Sequence, residues 1–264
     1  MLSSLALSTK ELIFASMLSG VGNIWGIADP YVEMSEDVIR VDILRIQKAL
    51  IEKRHAISDE DGVFSLFDGV IKMLRLCDES RYIYEFSSDE LERSNQVLRY
   101  FDCGDVIIRF EVKENASLSL VQLPEMRNES ASYFDSGDED IWQGALTADT
   151  ARLKRYGSLS RNRFIRELKE KGCNDSLPVI LANGLQGTSS FRTLVCYDAS
   201  SSDEGIPVEK LITMHLPGGN LLAKADAPLP ESIMLCKLSQ EQLLAEIDRV
   251  THRISANGGD QYAS

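Results

Sequence analysis

Few residues in this chain could do chemistry, and most have a simpler structural reading beside the chemical one. Ser58-Asp59-Glu60-Asp61-Gly62 sets acidic side chains beside a glycine, as a calcium loop does. With Gly62 as the sixth loop residue, Asp59 and Asp61 fall at the third and fifth positions. Ile57 is then first and Asp68 twelfth, where an EF-hand needs an oxygen ligand and a bidentate Glu. Ile57 has no oxygen to offer, so an acidic turn with Gly62 at positive φ is expected, and no metal site. Gly20, Gly22 and Gly26 form G-x-G-x-x-x-G, which departs from the dinucleotide fingerprint and follows a helical pattern instead of a strand. They read as glycines that end a helix and turn a loop, with no cofactor implied.

The three histidines, His55, His215 and His252, lie outside any H-E-x-x-H pattern. His215 falls in a strand-like apolar run and reads as a structural histidine. The chain contains neither G-x-S-x-G nor a Walker A sequence. Asp138-Glu139-Asp140 reads as a solvated charge run. No catalytic residue is expected, and the balance favours a binding protein over an enzyme. The alternatives are a hydrolase or transferase with an unrecognised site, and a structural subunit of a larger assembly.

At 264 residues and 44% hydrophobic, the chain can build one sizeable core or two packed lobes. A net charge of −13 argues against nonspecific nucleic-acid binding and against docking on anionic membranes. Five scattered cysteines without C-x-x-C (Cys77, Cys103, Cys173, Cys196, Cys236) point to buried free thiols in a reducing compartment. The opening MLSSLALSTKE lacks the basic and apolar regions of a signal peptide, and no stretch is long and apolar enough to span a bilayer. A cytoplasmic location is expected.

The elements that must position any site follow from periodicity. A short strand is expected at Leu5–Leu7. Ser8 with Glu11 forms a capping box for a helix that Gly20 stops. Ser35 caps a helix in which Val38, Val41, Leu44, Ile46, Leu50 and Ile51 form one buried face, ending near Lys53–His55. A second helix is expected from Ser65, then a strand at Tyr82–Phe86. Val97–Phe101, Val106–Val112 and Ser117–Leu123 read as an antiparallel meander. A helix at Ser160–Lys171 follows. Strands are expected at Pro178–Ala182, Phe191–Tyr197, Lys210–Leu216, Leu221–Ala225 and Ile233–Leu238. Ser239 opens a last helix. The expected fold class is α+β, an antiparallel sheet with packed helices, with a possible pseudo-twofold similarity between two lobes that residue matching does not establish. The expected halves are 1–126 and 144–256, with an acidic linker at 127–143 and a disordered tail at 257–264.

Together these features resemble a family. LSTKELIFASML, VDILRIQKALIEKR, DEDG, LFDGVIKMLRLC, LRYFDCGDVIIRFEV and LITMHLPGG are similar, in order and type, to elements of the EspG-type chaperones of type VII (ESX) secretion and their Gram-positive EsaE-like counterparts. The likeness is one of element order and covers roughly residues 1–225. It implies a non-catalytic cytosolic chaperone or adaptor for helical export substrates of the WXG or LXG kind. Such a protein needs an accessible apolar strip. Two stretches are candidates. One is the tip Ser200, Ser201, Ser202, Asp203 and Glu204 of the polar hairpin loop Asp198–Pro207. The other is the last helix, with Leu243, Leu244, Ile247, Val250 and Ile254. The competing expectation for that helix is that its stripe packs on the sheet.

Overall fold

Ser8 and Glu11 start the first helix by exchanging hydrogen bonds. The Glu11 amide donates to Ser8 Oγ (3.3 Å) and the Ser8 amide to Glu11 Oε2 (2.6 Å), which satisfies two orphan donors of α1 (Thr9–Leu18). The computed structural model describes residues 2–22, 27, 29–88, 96–134, 145–149, 160–170, 179, 190–199, 206–216, 219–224, 232–237 and 240–258. The chain is α+β and divides into two units. One comprises Met1–Ile83, Ser94–Gln122 and Asp198–Ile206. The other comprises Tyr84–Arg93, Leu123–Tyr197 and Pro207–Ser264. The chain therefore passes between the units several times.

In the first unit, β1 (Ser4–Leu7) pairs antiparallel with β7 (Ala116–Val121), which continues through β6 (Ile107–Val112) to β5 (Val97–Asp102). The three expected strands form the expected antiparallel meander, but β5 and β6 bury consecutive residues, Arg99–Phe101 and Ile107–Ile108, and only β7 starts by alternating. Tyr100, Phe101, Ile108, Phe110 and Leu118 are buried, and the Phe101 and Phe110 rings meet edge to face at 6.0 Å. Gly104 turns the β5–β6 connection at φ 84, with its amide donating to Asp102 Oδ1.

Helices α1, α2 (Glu36–Glu52) and α3 (Asp68–Asp78) belong to the same unit, where Leu12, Leu50, Val70, Met73 and Leu74 are buried. Gly20 ends α1 at φ 75. Its amide donates to the Met17 carbonyl and that of Val21 to Ser16, which is a Schellman closure. Gly20 therefore has a structural role, outside any phosphate loop. The same closure ends α2: the Arg54 amide donates to Ile51 and the His55 amide to Leu50. Here the left-handed position is filled by Arg54 at φ 58.

Between α2 and α3 the structure departs from the expected helix start at Ser65. β2 (Ala56–Ser58) and β3 (Phe64–Leu66) form a small hairpin, and α3 begins at Asp68. Asp59 organises the turn, its Oδ1 accepting from the amides of Asp61 (3.0 Å) and Val63 (2.7 Å), and Gly62 sits at φ 78 as expected.

In the second unit, β4 (Tyr82–Ser88, from Tyr84 on) is followed in the sheet by β9 (Ser190–Asp198), β10 (Ile206–Leu216), β11 (Gly219–Lys224), β12 (Ser232–Lys237) and β8 (Ala145–Asp149). The β10–β11, β11–β12 and β12–β8 pairs are antiparallel. Its helices are α4 (Leu123–Tyr133), α5 (Arg161–Glu170) and α6 (Gln240–Gly258). α4 occupies the first part of the segment expected to be a linker. Pro124 sits in its first turn, where a missing amide costs nothing, and Met126, Ser130 and Phe134 recur every fourth residue on its buried side. The expectations at Asp89–Ser94, 135–143, Gly26, Pro217–Gly218 and Pro228–Pro230 lie outside the described residues. So do those at 259–264 and, apart from residue 179, at Pro178–Ala182.

Candidate binding surfaces

The last helix shows how a stripe can be read correctly and still be spent on the core. In α6, Leu243, Ile247 and Val250 are 3%, 0% and 1% exposed. The helix packs against α4. Arg127 on α4 donates from Nε and Nη2 to the two carboxylate oxygens of Asp248 (2.6 and 2.7 Å), a fork-to-fork pair that sets the register. Arg249 pairs with Glu246 and Glu209, and Thr251 Oγ1 donates to the Ile247 carbonyl (2.9 Å). Leu243, Ile247 and Val250 therefore do not form an open strip. Leu244, half-buried, is the one candidate of this helix seen to reach solvent, and the Ile254 side chain lies outside the described residues.

Ser200–Glu204 also lie outside the described residues. The flanks of that loop are described: β9 ends at Asp198, the Ala199 amide donates to the Arg81 carbonyl (2.8 Å), and β10 resumes at Ile206.

The exposed apolar surface lies elsewhere. Among the described residues, large apolar side chains standing more than a third exposed concentrate between Met17 and Phe67. α2 carries the longest series: Val38 (49%), Val41 (48%), Leu44 (63%) and Ile51 (39%). Its buried side is Ile46 and Leu50 alone. The single buried face read from the sequence is thus two stripes on roughly opposite sides of the helix, at about 100° per residue. The signal was present, because Ile46 and Leu50 fall out of step with Val38, Val41 and Leu44. Two ties from α1 hold this orientation. Lys10 pairs with Asp42, and Lys53 Nζ donates to Glu11 Oε2 at 2.6 Å. Lys10 also lies over the Tyr31 ring.

Titratable groups with shifted protonation are tied into structure. Burial pushes the Glu11 carboxyl up, but hydrogen bonds from Lys53 and Ser8 outweigh it and hold the group below its ordinary value. Glu111 follows the same balance between burial and its partners Lys113 and Arg109. Burial, then the Lys53 charge, lowers His55. Cys77, Cys103 and Cys196 are free thiols. Burial, reinforced by Asp102 and Glu79, pushes Cys103 up to about 12, and its Sγ donates to the Leu76 carbonyl (3.0 Å). An open cleft of about 300 Å³ runs along α3, where basic Lys72 and Arg75 lie between acidic Asp68 and Glu79. No cluster of three or more His, Cys, Asp or Glu suited to a metal ion occurs among the described residues. None of their helices is long and apolar enough to cross a membrane.

No family model matches the chain, and no curated protein matches it in sequence. Solved structures do match in fold. One is the Mycobacterium tuberculosis type VII secretion system chaperone EspG5, solved in complex with a PE25–PPE41 dimer. It superposes with a TM-score of 0.63 at 10% sequence identity, over 94% of this chain and 95% of that one. The α+β fold is therefore EspG-like.

Proposed function

We propose that this chain is a cytoplasmic chaperone or adaptor of a type VII secretion system, which binds helical export substrates without catalysing a reaction. The observation that carries the reading is the fold likeness to EspG5 over nearly the full length of both chains. EspG5 was solved bound to a PE25–PPE41 dimer, and substrates of the WXG or LXG kind are the corresponding expectation here. The bonded state of Glu11 and Glu111, the burial of Cys77 and the partly buried, hydrogen-bonded thiol of Cys103 agree with a binding role: these groups hold the fold together. The loop tip Ser200–Glu204 and the half-buried Leu244 remain the proposed contact residues.

The test is co-expression with small helical export candidates from the same host, followed by affinity capture and light scattering. A stoichiometric, soluble complex is expected, weakened by deleting Ser200–Glu204 while the melting curve stays unchanged. Recovery of no export candidate removes the chaperone reading. A complex unaffected by the deletion removes the loop from it.

A further inference from the structure

We propose that the exposed ridge of α2 is a docking seam for an amphipathic partner helix whose apolar stripe is flanked by acidic residues. Val41, Leu44, Lys48 and Ile51 are spaced three, four and three, the a/d spacing of a coiled-coil seam. Val38 extends the ridge one turn towards the helix start. The row runs about 20 Å at 1.5 Å per residue, enough for a partner helix of four turns. Burying it would remove four branched side chains from water, a gain that the isolated chain forgoes.

Charge selects the occupant. The chain carries −13 overall, yet residues 40–54 hold five basic side chains and two acidic ones. Lys53 is spent on Glu11, whereas Arg45 and Lys48 project into solvent, 77% and 79% exposed. Their own-helix partners Asp42 and Glu52 stand at 3.7 and 3.9 Å, the outer limit of an ion pair. Arg40 is exposed on the flank of the ridge. A second copy of this chain laid ridge to ridge would bring its own Lys48 into the apolar seam, which needs a partner charge to be tolerated. A helix with Glu or Asp beside its stripe supplies that charge.

The helical nature of the partner rests on the chaperone reading; the place and the charge rule do not. The test uses the full chain and two labelled synthetic helices of about 21 residues, or six turns. They share one leucine seam and differ only in glutamate or lysine flanks. Fluorescence anisotropy should show the glutamate peptide binding at least about tenfold tighter. Leu44→Ser should weaken it by a similar factor, and Lys48→Glu should shift the preference towards the lysine peptide, all without moving the thermal midpoint. Equal affinity for both peptides overturns the proposal. So does binding indifferent to Leu44→Ser, or a homodimer in the absence of peptide that Leu44→Ser dissolves. If the host's export substrate is captured equally by wild type and Leu44→Ser, the seam fails and the chaperone reading stands. If the peptides obey the rule but no export substrate is captured, the seam stands and the chaperone reading fails.

Discussion

Arg54 occupies the left-handed closing position of α2, a conformation that costs an L-residue about 1–2 kcal/mol and glycine almost nothing. Arg54→Gly should therefore stabilise the chain by about 1 kcal/mol in urea unfolding. Gly20→Ala, at the matching position of α1, should destabilise it by a similar amount, since open space around Gly20 does not relieve its φ of 75. Unchanged midpoints in both variants would mean that neither closure is under strain. Glu11 gives a pH-dependent counterpart. Its folded pKa lies below the ordinary carboxylate value, so its contribution is present above that ordinary value and is lost as pH falls through the folded pKa. Glu11→Gln should cost about 1–3 kcal/mol at pH 7, and the two unfolding curves should converge in acid. A gap that persists once Glu11 is protonated in the folded state would assign the loss to packing. Cys103, with its thiol pushed to about 12, should react slowly with a disulfide reagent at pH 8, as should buried Cys77, until denaturant exposes both.

Helices divide by what their apolar stripes meet. On α2, Leu44→Ser should change stability by no more than about 0.5 kcal/mol, whereas Leu50→Ala, two turns further on the inward side, should cost about 2–5 kcal/mol. On α6, Ile247→Ala belongs with Leu50, and Leu244→Ala should cost less. Chemical denaturation of the four variants checks the ordering, and equal losses at Leu44 and Leu50 would mean that α2 has no free side. The contrast explains what was legible in the chain. The β5–β6–β7 meander was legible because β-branched and aromatic runs are separated by the turn residues around Gly104 and Asn115. The capping box at Ser8 and the stop at Gly20 are local chemistry and need no tertiary information. Three-residue strands such as β2 and β3 are too short to show a period, and Ser65 followed by Asp68 imitates a helix start. α4 was obscured because serine fills one of its three inward positions. Periodicity reports that a stripe exists, and tertiary packing alone decides whether it is covered. That is why α2 looked buried, and why the stripe of α6 could be read either as core or as a partner surface.

At the scale of the molecule, an architecture shared with EspG5 at 10% identity rests on the order and polarity of elements more than on particular side chains. The fold is accordingly the part of the resemblance that held. The pairing of β1 with β7 carries a consequence for biosynthesis. Ser4 lies opposite Ser119, so β1 must wait for more than a hundred further residues before it meets its partner. At about 5–20 residues per second, the nascent chain holds Leu5 and Leu7 unsheltered for on the order of ten seconds. Over that interval α1 and α2 can already be joined through Lys10–Asp42 and Lys53–Glu11, ties between residues far closer in the chain. The α1–α2 pair can thus be in place while β1 is still open, and β7, once made, pairs with β1 and closes it into the sheet.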